Sequence, residues 1–161
     1  IAQGFATFQG VKRRQEERGS GRGVLVIDDF AHHPTAMRET VLAVKGRYAG
    51  RRLVAVFEPR SNTSRRNLHQ EDYAGAFGGA DQAFVKVPEK HDKIPEGEGL
   101  DVAVLCRELS VRGVPAEAGA TVEGLVEQVN GFVREKDVVL VMSNGGFGGF
   151  IEKLLKRLEG T

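Results

Sequence analysis

Two adjacent carboxylates and two adjacent imidazoles follow an aliphatic run near the start of the chain. Residues 24–27 are Val, Leu, Val and Ile, Asp28 and Asp29 come directly after them, and His32 and His33 follow. A carboxylate at the end of a strand can grip ribose hydroxyls, bind a metal or act as a base. The alternative is an exposed acidic pair that only ends the strand. Adjacent histidines diverge, and without a cysteine cluster they make a shared zinc site improbable, so we expect no metal ligands here.

A second polar segment, residues 57–66, combines hydroxyls, an amide and three guanidiniums. Arg60, Asn62 and Arg65 are its candidate ligand-binding side chains. Guanidinium forks bind carboxylates and phosphates in a bidentate manner, so the segment suits an anionic ligand. Capping of the following helix by residues 61–63 explains the hydroxyls and the amide equally well. Both interpretations stay open on the sequence alone.

A third segment, residues 143–149, is rich in glycine and follows an aliphatic run. Ser143, Asn144 and Gly145 begin it, and its backbone N–H groups could approach a ligand closely. It matches a dinucleotide-binding fingerprint poorly, because it lies near the end of the chain and no acidic residue follows at the required distance. The chain also contains no P-loop and no Gly-x-Ser-x-Gly elbow. The lone thiol, Cys106, is expected to be a buried apolar residue of a helix.

These segments sit at the ends of strands in a chain that alternates strand and helix patterns. The fold class predicted is α/β, a Rossmann-like, mostly parallel sheet with helices on both faces. Pro34 suits the first position of a helix, and Thr121 can cap another. The expected strands are 23–28, 52–57, 82–87, 114–118 and 137–142. The expected helices are 34–48, 64–79, 101–112, 121–135 and 146–159, the last with a core stripe of Phe150, Ile151, Leu154, Leu155 and Leu158.

Residues 1–21 and 86–100 break this alternation. The first is expected to be a leading segment with a charged edge strand, before a domain over 22–161. The second, with Pro88, Pro95, Gly97 and Gly99, is expected to be a long loop at the carboxyl edge of the sheet.

Composition limits the class of protein. The 161 residues suit one domain, and a single cysteine excludes an internal disulfide. No apolar run is long enough to span a membrane and no signal peptide is recognisable, so a soluble, cytoplasmic protein is expected. Because the chain begins with Ile1, we expect a fragment of a longer polypeptide. Residues 1–70 hold 13 Lys or Arg against 6 Asp or Glu, and the remainder 10 against 16. A nucleotide- or RNA-binding module is therefore an alternative, although the basic residues lack interleaved aromatics.

Four ordered motifs resemble the C-terminal domain of the Mur ligases, the ATP-dependent amide-forming enzymes of peptidoglycan assembly. They are residues 8–16, 28–35, 57–63 and 141–149, and together they extend over nearly the whole chain. The resemblance implies N-terminal UDP-binding and central ATPase domains that this chain lacks. ATP and Mg²⁺ would serve the full-length enzyme, with Mg²⁺ held mainly by the central domain. The fragment alone would contain no catalytic residue and would be inactive.

By position in the motifs, the resemblance assigns roles to individual residues. Arg14 matches an arginine that reaches ATP, and Asp29 matches an acid that contacts the nucleotide ribose. Phe30 and His32 match residues beside the amino-acid substrate. The resemblance is greatest to the members that attach recycled L-alanyl-γ-D-glutamyl-meso-diaminopimelate to UDP-N-acetylmuramate through an acyl phosphate. Arg60, Asn62, Arg65, Ser143, Asn144 and Gly145 would then contact the peptide, and neither nucleic acid nor membrane would be a partner.

A related alternative is the family member that adds alanine. It carries arginines where this chain has Ser61 and Ser64, and those arginines hold the free carboxylate of alanine. In a tripeptide that carboxyl group is already an amide. A buried guanidinium without its carboxylate is costly, so the two serines favour the tripeptide.

Overall fold

Strands and helices alternate along the part of the chain that the structure, a computed structural model, describes: residues 12–89 and 94–160. The strands there are β1 Glu16–Gly21, β2 Val24–Asp29, β3 Leu53–Phe57, β4 Gln82–Lys86, β5 Ala116–Gly119 and β6 Val138–Met142. The helices are α1 Pro34–Arg47, α2 Gln70–Ala76, α3 Val102–Val111, α4 Val122–Phe132 and α5 Phe150–Leu158, with single 3₁₀ turns at Asn67–His69 and Phe147–Gly149.

The strands form one sheet in the order β1-β2-β6-β3-β4-β5. All neighbouring strands are parallel except β1, which pairs antiparallel with β2 at the edge. Helices α1, α2 and α3 cover one face, and α4 and α5 cover the other. The predicted Rossmann-like, mostly parallel sheet with helices on both faces is thus confirmed.

Side chains of each strand alternate between the two helical layers. In β2, Val24 and Val26 pack against the α4–α5 layer, whereas Ile27 packs against α1–α3. This alternation continues to the ends of the strands, so Asp28 and Asp29 point to opposite faces. Cys106 is buried, as predicted. The predicted stripe of α5 also lies in the core, with Leu155 partly buried.

Local signals placed two helix starts correctly. Pro34 occupies the first turn of α1, and the Thr121 hydroxyl accepts a hydrogen bond from the Gly124 N–H at 3.0 Å. None of the helices in the described ranges is both long enough and apolar enough to cross a membrane.

The helix predicted over 64–79 begins too early. Residues 61–65 form a turn in which Arg65 N–H donates to the Ser61 carbonyl at 3.0 Å. Arg66 is extended, with ψ of 158°, and bridges Gly99. This distant partner keeps the segment out of the helix until the 3₁₀ turn at Asn67–His69. The last helix also starts later than predicted, at Phe150, because Gly148 and Gly149 have left-handed φ values of 55° and 73°.

Candidate functional site

The three polar segments predicted from the sequence meet at the carboxyl edge of the sheet. Strand β6 lies between β2 and β3, and all three are parallel. The connections after β2 and β3 run through α1 and α2 on one face, whereas the chain after β6 enters α5 on the other face. Ligands of open α/β sheets bind where connections diverge in this way. The segments after β2, β3 and β6 lie at this crevice.

Arg13 ties the leading segment to two of these strand ends. Its Nη2 donates to the carbonyl oxygens of Ser143 and Gly145 at 2.6 and 2.7 Å, and its Nε donates to Asp28 at 3.3 Å. The guanidinium also lies 5.2 Å from the centre of the Phe30 ring. One side chain therefore fixes the β6 turn against the end of β2. The sequence analysis singled out Arg14 instead, and Arg14 is exposed beside this junction.

Asp28 accepts from two arginines on the α5 side of the sheet. Arg18 Nη1 donates to Asp28 Oδ2 at 3.0 Å, and Arg18 also pairs with Glu152 at the surface. The Asp28 side chain is only 5% exposed. Its charge is therefore balanced within the described chain by Arg13 and Arg18, which makes it an anchor for the leading segment.

Asp29 is buried on the opposite face and holds the backbone around it. Its Oδ2 accepts from the Gln15 N–H at 2.9 Å, and its Oδ1 accepts from the Ala31 N–H at 2.8 Å and the Thr40 hydroxyl at 3.4 Å. These bonds place Arg14, the residue before Gln15, next to the end of β2. Asp29 is 2% exposed in this conformation.

Phe30 and His32 shape the loop between β2 and α1. Phe30 is 39% exposed, and His32 is half-buried with its Nδ1 3.0 Å from the Phe30 carbonyl oxygen. The Tyr73 hydroxyl donates to the His32 carbonyl at 2.7 Å. Burial raises the pKa of the Tyr73 phenol, so it stays protonated and keeps donating at neutral pH. An exposed aromatic ring and an imidazole edge thus stand at the crevice on a fixed backbone.

The segment after β3 contacts the turn after β6. The Ser143 hydroxyl donates to Glu58 Oε2 at 2.5 Å, and the Arg60 side chain lies across Gly145, where any Cβ would collide with it. Arg65 is half-buried, and its Nε has no hydrogen-bond partner among the described residues. Asn62 is exposed on the same loop. Glycine at 145 is therefore required by the close approach of Arg60.

Ser61 and Ser64 bond to each other and hold this loop in shape. Their hydroxyl oxygens are 2.8 Å apart, and Ser64 N–H donates to Ser61 Oγ at 3.0 Å. Ser64 is 1% exposed and hydrogen-bonds Tyr73, the residue that holds the His32 carbonyl. An arginine at position 64 would need a different loop conformation.

The turn after β6 uses part of its own backbone polarity. Ser143 N–H donates to the Asp29 carbonyl, and Gly145 N–H donates to the Ser143 hydroxyl at 3.0 Å. Asn144 Oδ1 is buried and accepts no hydrogen bond from the residues described. An incoming donor would satisfy this oxygen.

The predicted site residues come together unevenly. The crevice brings together Asp29, Phe30, His32, Arg60, Ser143, Asn144 and Gly145, and Arg14, Asn62 and Arg65 lie at or beside it. Residues 8–11 of the first motif lie outside the described residues. Sequence reasoning missed Arg13, Glu58 and Lys86. No group of three or more potential metal-ligating His, Cys, Asp or Glu occurs within 12–89 and 94–160.

Comparison with known proteins defines the class to which this fold and site belong. The family profile "Mur ligase, glutamate ligase domain" matches residues 13–145. The chain belongs to the Mur ligase family and corresponds to its C-terminal domain. It spans about a third of the length of the curated relatives it matches.

Relatives within the family include two kinds of ligase. The UDP-N-acetylmuramate–L-alanyl-γ-D-glutamyl-meso-2,6-diaminoheptandioate ligase of Escherichia coli is 40% identical, over 98% of this chain and 32% of its own length. The UDP-N-acetylmuramate–L-alanine ligase of Clostridium kluyveri is 32% identical, over 90% of this chain and 31% of its own length. The family resemblance expected from the motifs is thus confirmed, and the tripeptide ligase is the more similar of these two.

Solved structures agree with both the fold and the boundaries. The murein peptide ligase of Psychrobacter arcticus matches with a TM-score of 0.78 and 31% identity, over 97% of this chain and 32% of that one. A domain from a Haemophilus ducreyi protein titled as a putative UDP-N-acetylmuramate:tripeptide ligase matches with a TM-score of 0.73 and 32% identity, over 90% of this chain and 99% of that one. The latter is a corresponding domain crystallised alone.

Proposed function

We propose that this chain is the C-terminal domain of an ATP-dependent ligase that joins L-alanyl-γ-D-glutamyl-meso-diaminopimelate to UDP-N-acetylmuramate in peptidoglycan recycling. In this reaction ATP phosphorylates the lactyl carboxylate of the sugar. The peptide amine then attacks the acyl phosphate, forming the amide and releasing phosphate. The observation that carries the proposal is the convergence of three family motifs at one crevice, together with 40% identity to a tripeptide ligase.

Arg14 and Asp29 form the contribution of this chain to the ATP site. Arg14 is exposed, and its guanidinium is suited to the phosphates of the nucleotide. Asp29 holds Gln15 in place, and its contact with the ribose requires the segment over 12–16 to shift when the domains close. Mg²⁺ in the full-length enzyme is held mainly by the central domain.

Phe30, His32 and the two polar turns form the peptide side of the site. The Phe30 ring and the His32 imidazole border the incoming alanyl amine. Arg60, Asn62 and Arg65 meet the peptide carboxylates, and Ser143, Asn144 and Gly145 approach the tail of the peptide. The unsatisfied Asn144 oxygen and Arg65 Nε support this assignment, because buried polar atoms are costly without partners.

The rest of the polypeptide completes the machinery. An N-terminal domain for UDP-N-acetylmuramate and a central ATPase domain pair with this chain, and the isolated chain is inactive. The protein works in the cytoplasm, without nucleic acid or membrane partners.

The experiment is a ligation assay on the full-length protein. The protein is incubated with UDP-N-acetylmuramate, the tripeptide, ATP and Mg²⁺, and the products are identified by mass spectrometry. We expect UDP-N-acetylmuramoyl-tripeptide and one ADP per amide formed. ADP release without dependence on the tripeptide would refute the proposal.

A further inference from the structure

A cavity of about 280 Å³ opens beside the β6 turn on the α4–α5 side of the sheet. Its polar lining includes Glu58 after β3, Lys86 at the end of β4 and Arg65. Glu58 and Lys86 follow the alternation of their strands and point to the same face. The cavity is therefore continuous with the crevice through Glu58, which bonds the Ser143 hydroxyl.

Lys86 is the least expected residue in this cavity. It is 7% exposed, and its Nζ donates to the neighbouring Val87 carbonyl at 2.7 Å. It forms no ion pair with any residue of the described ranges, and neither does Arg65, whose buried Nε also lacks a partner. Lysines are almost never this buried without a paired anion. Two cations facing one cavity indicate an anionic group of a ligand.

Glu58 supplies the opposite charge on the other wall. Its carboxylate accepts from the Ser143 hydroxyl but forms no ion pair within the described part of the chain. A carboxylate oxygen can accept further hydrogen bonds, and an ammonium group has three to donate. The cavity thus offers separate places for a carboxylate and an ammonium.

We infer that this cavity binds the distal α-amino-carboxylate of the third peptide residue, with Lys86 and Arg65 holding the carboxylate and Glu58 holding the ammonium. The inference rests on the proposed function and assigns Lys86 as a specificity-determining residue. Diaminoheptanedioate carries both groups at its far end. Lysine at the same position carries only the ammonium, so Lys86 selects against it.

The test compares two tripeptides in the full-length enzyme, one ending in meso-diaminopimelate and one in L-lysine. Lys86→Met keeps the apolar stem and removes the charge, and Lys153→Met is the matched control, since Lys153 pairs with Glu123 at the surface. Lys86→Met should lower kcat/KM for the diaminopimelate peptide by about 10- to 100-fold, through KM, and leave the lysine peptide nearly unchanged. Lys153→Met should change neither.

Glu58→Gln provides a second, different pattern. The ammonium is present in both peptides, so this variant should lower kcat/KM for both by similar factors while the amide oxygen still accepts from Ser143. An equal loss for both peptides in Lys86→Met, or an unchanged preference, would overturn the inference while ligation by the wild type upheld the proposed function. If the wild type ligates neither peptide, the proposed function fails and this inference fails with it.

Discussion

Replacing Arg13 by Met tests how the leading segment is held to the site. The change keeps an apolar stem against Phe30 and the same left-handed backbone, with φ of 56°, so neither contributes to the difference. It removes the donors to the Ser143 and Gly145 carbonyls and one of two donors to Asp28. The lost bonds are those that join the β6 turn to residues 12–16.

Arg18→Met is the matched control. Arg18 also donates to Asp28, and its side chain is 31% exposed against 30% for Arg13, but its second partner is the exposed Glu152. Each variant leaves Asp28 with one arginine. The difference between the two variants therefore measures mainly the two carbonyl bonds, which at a net contribution of about 1 kcal/mol each amount to about 2 kcal/mol.

Urea unfolding of the chain, followed by circular dichroism, gives the two free energies of unfolding. We expect Arg13→Met to be less stable than Arg18→Met by about 2 kcal/mol, with unchanged m-values. A loss in Arg13→Met no greater than in Arg18→Met would refute the reasoning, because the carbonyl bonds would then contribute nothing to holding the turn.

Three further predictions concern the turn, the acid limb of stability and the thiol. Gly145→Ala should displace Arg60 and raise KM for the tripeptide in the full-length enzyme while the melting temperature changes little, since the colliding atoms belong to a flexible side chain; an unchanged KM would contradict this placement of Arg60. Burial alone would raise the pKa of Asp81, but hydrogen bonds from Lys45 and the Leu53 N–H outweigh it and lower that pKa. The resulting stability is present above the unfolded pKa of about 4 and is lost as the pH falls through the folded value, so Asp81→Asn should lose less stability than the wild type on acidification below about pH 4, as urea titrations at each pH will show. Burial, followed by the charge of Glu117, raises the pKa of the Cys106 thiol, so it should react with a thiol reagent at neutral pH only after unfolding, and rapid labelling of the native chain would contradict its burial.

The parts of the fold that were predictable depend on local patterns. The aliphatic runs that became β2, β3 and β6 identify buried parallel strands, and parallel strands bring their carboxyl ends to one edge. The convergence of residues 28–32, 57–66 and 143–149 follows from that geometry alone. The helix over 64–79 was misplaced because its start depends on the Arg66 bridge to Gly99, which no local pattern reveals.

The parts of the site that were missed depend on contacts between distant residues. Arg13 bonds backbone carbonyls about 130 positions away in the chain, and carbonyls have no sequence signature. Lys86 ends a strand and resembles any solvated lysine until the structure shows it buried. Ser64 appeared to face a ligand, but its hydroxyl is used within the loop and with Tyr73.

The central claim is that this chain belongs to a ligase for a preformed peptide. The most direct measurement is a competition in which the full-length enzyme, UDP-N-acetylmuramate, ATP and Mg²⁺ receive equal concentrations of tripeptide and L-alanine, with both products quantified by mass spectrometry. We predict that the tripeptide product forms in large excess and that its formation requires ATP. Predominant formation of UDP-N-acetylmuramoyl-alanine would contradict the account.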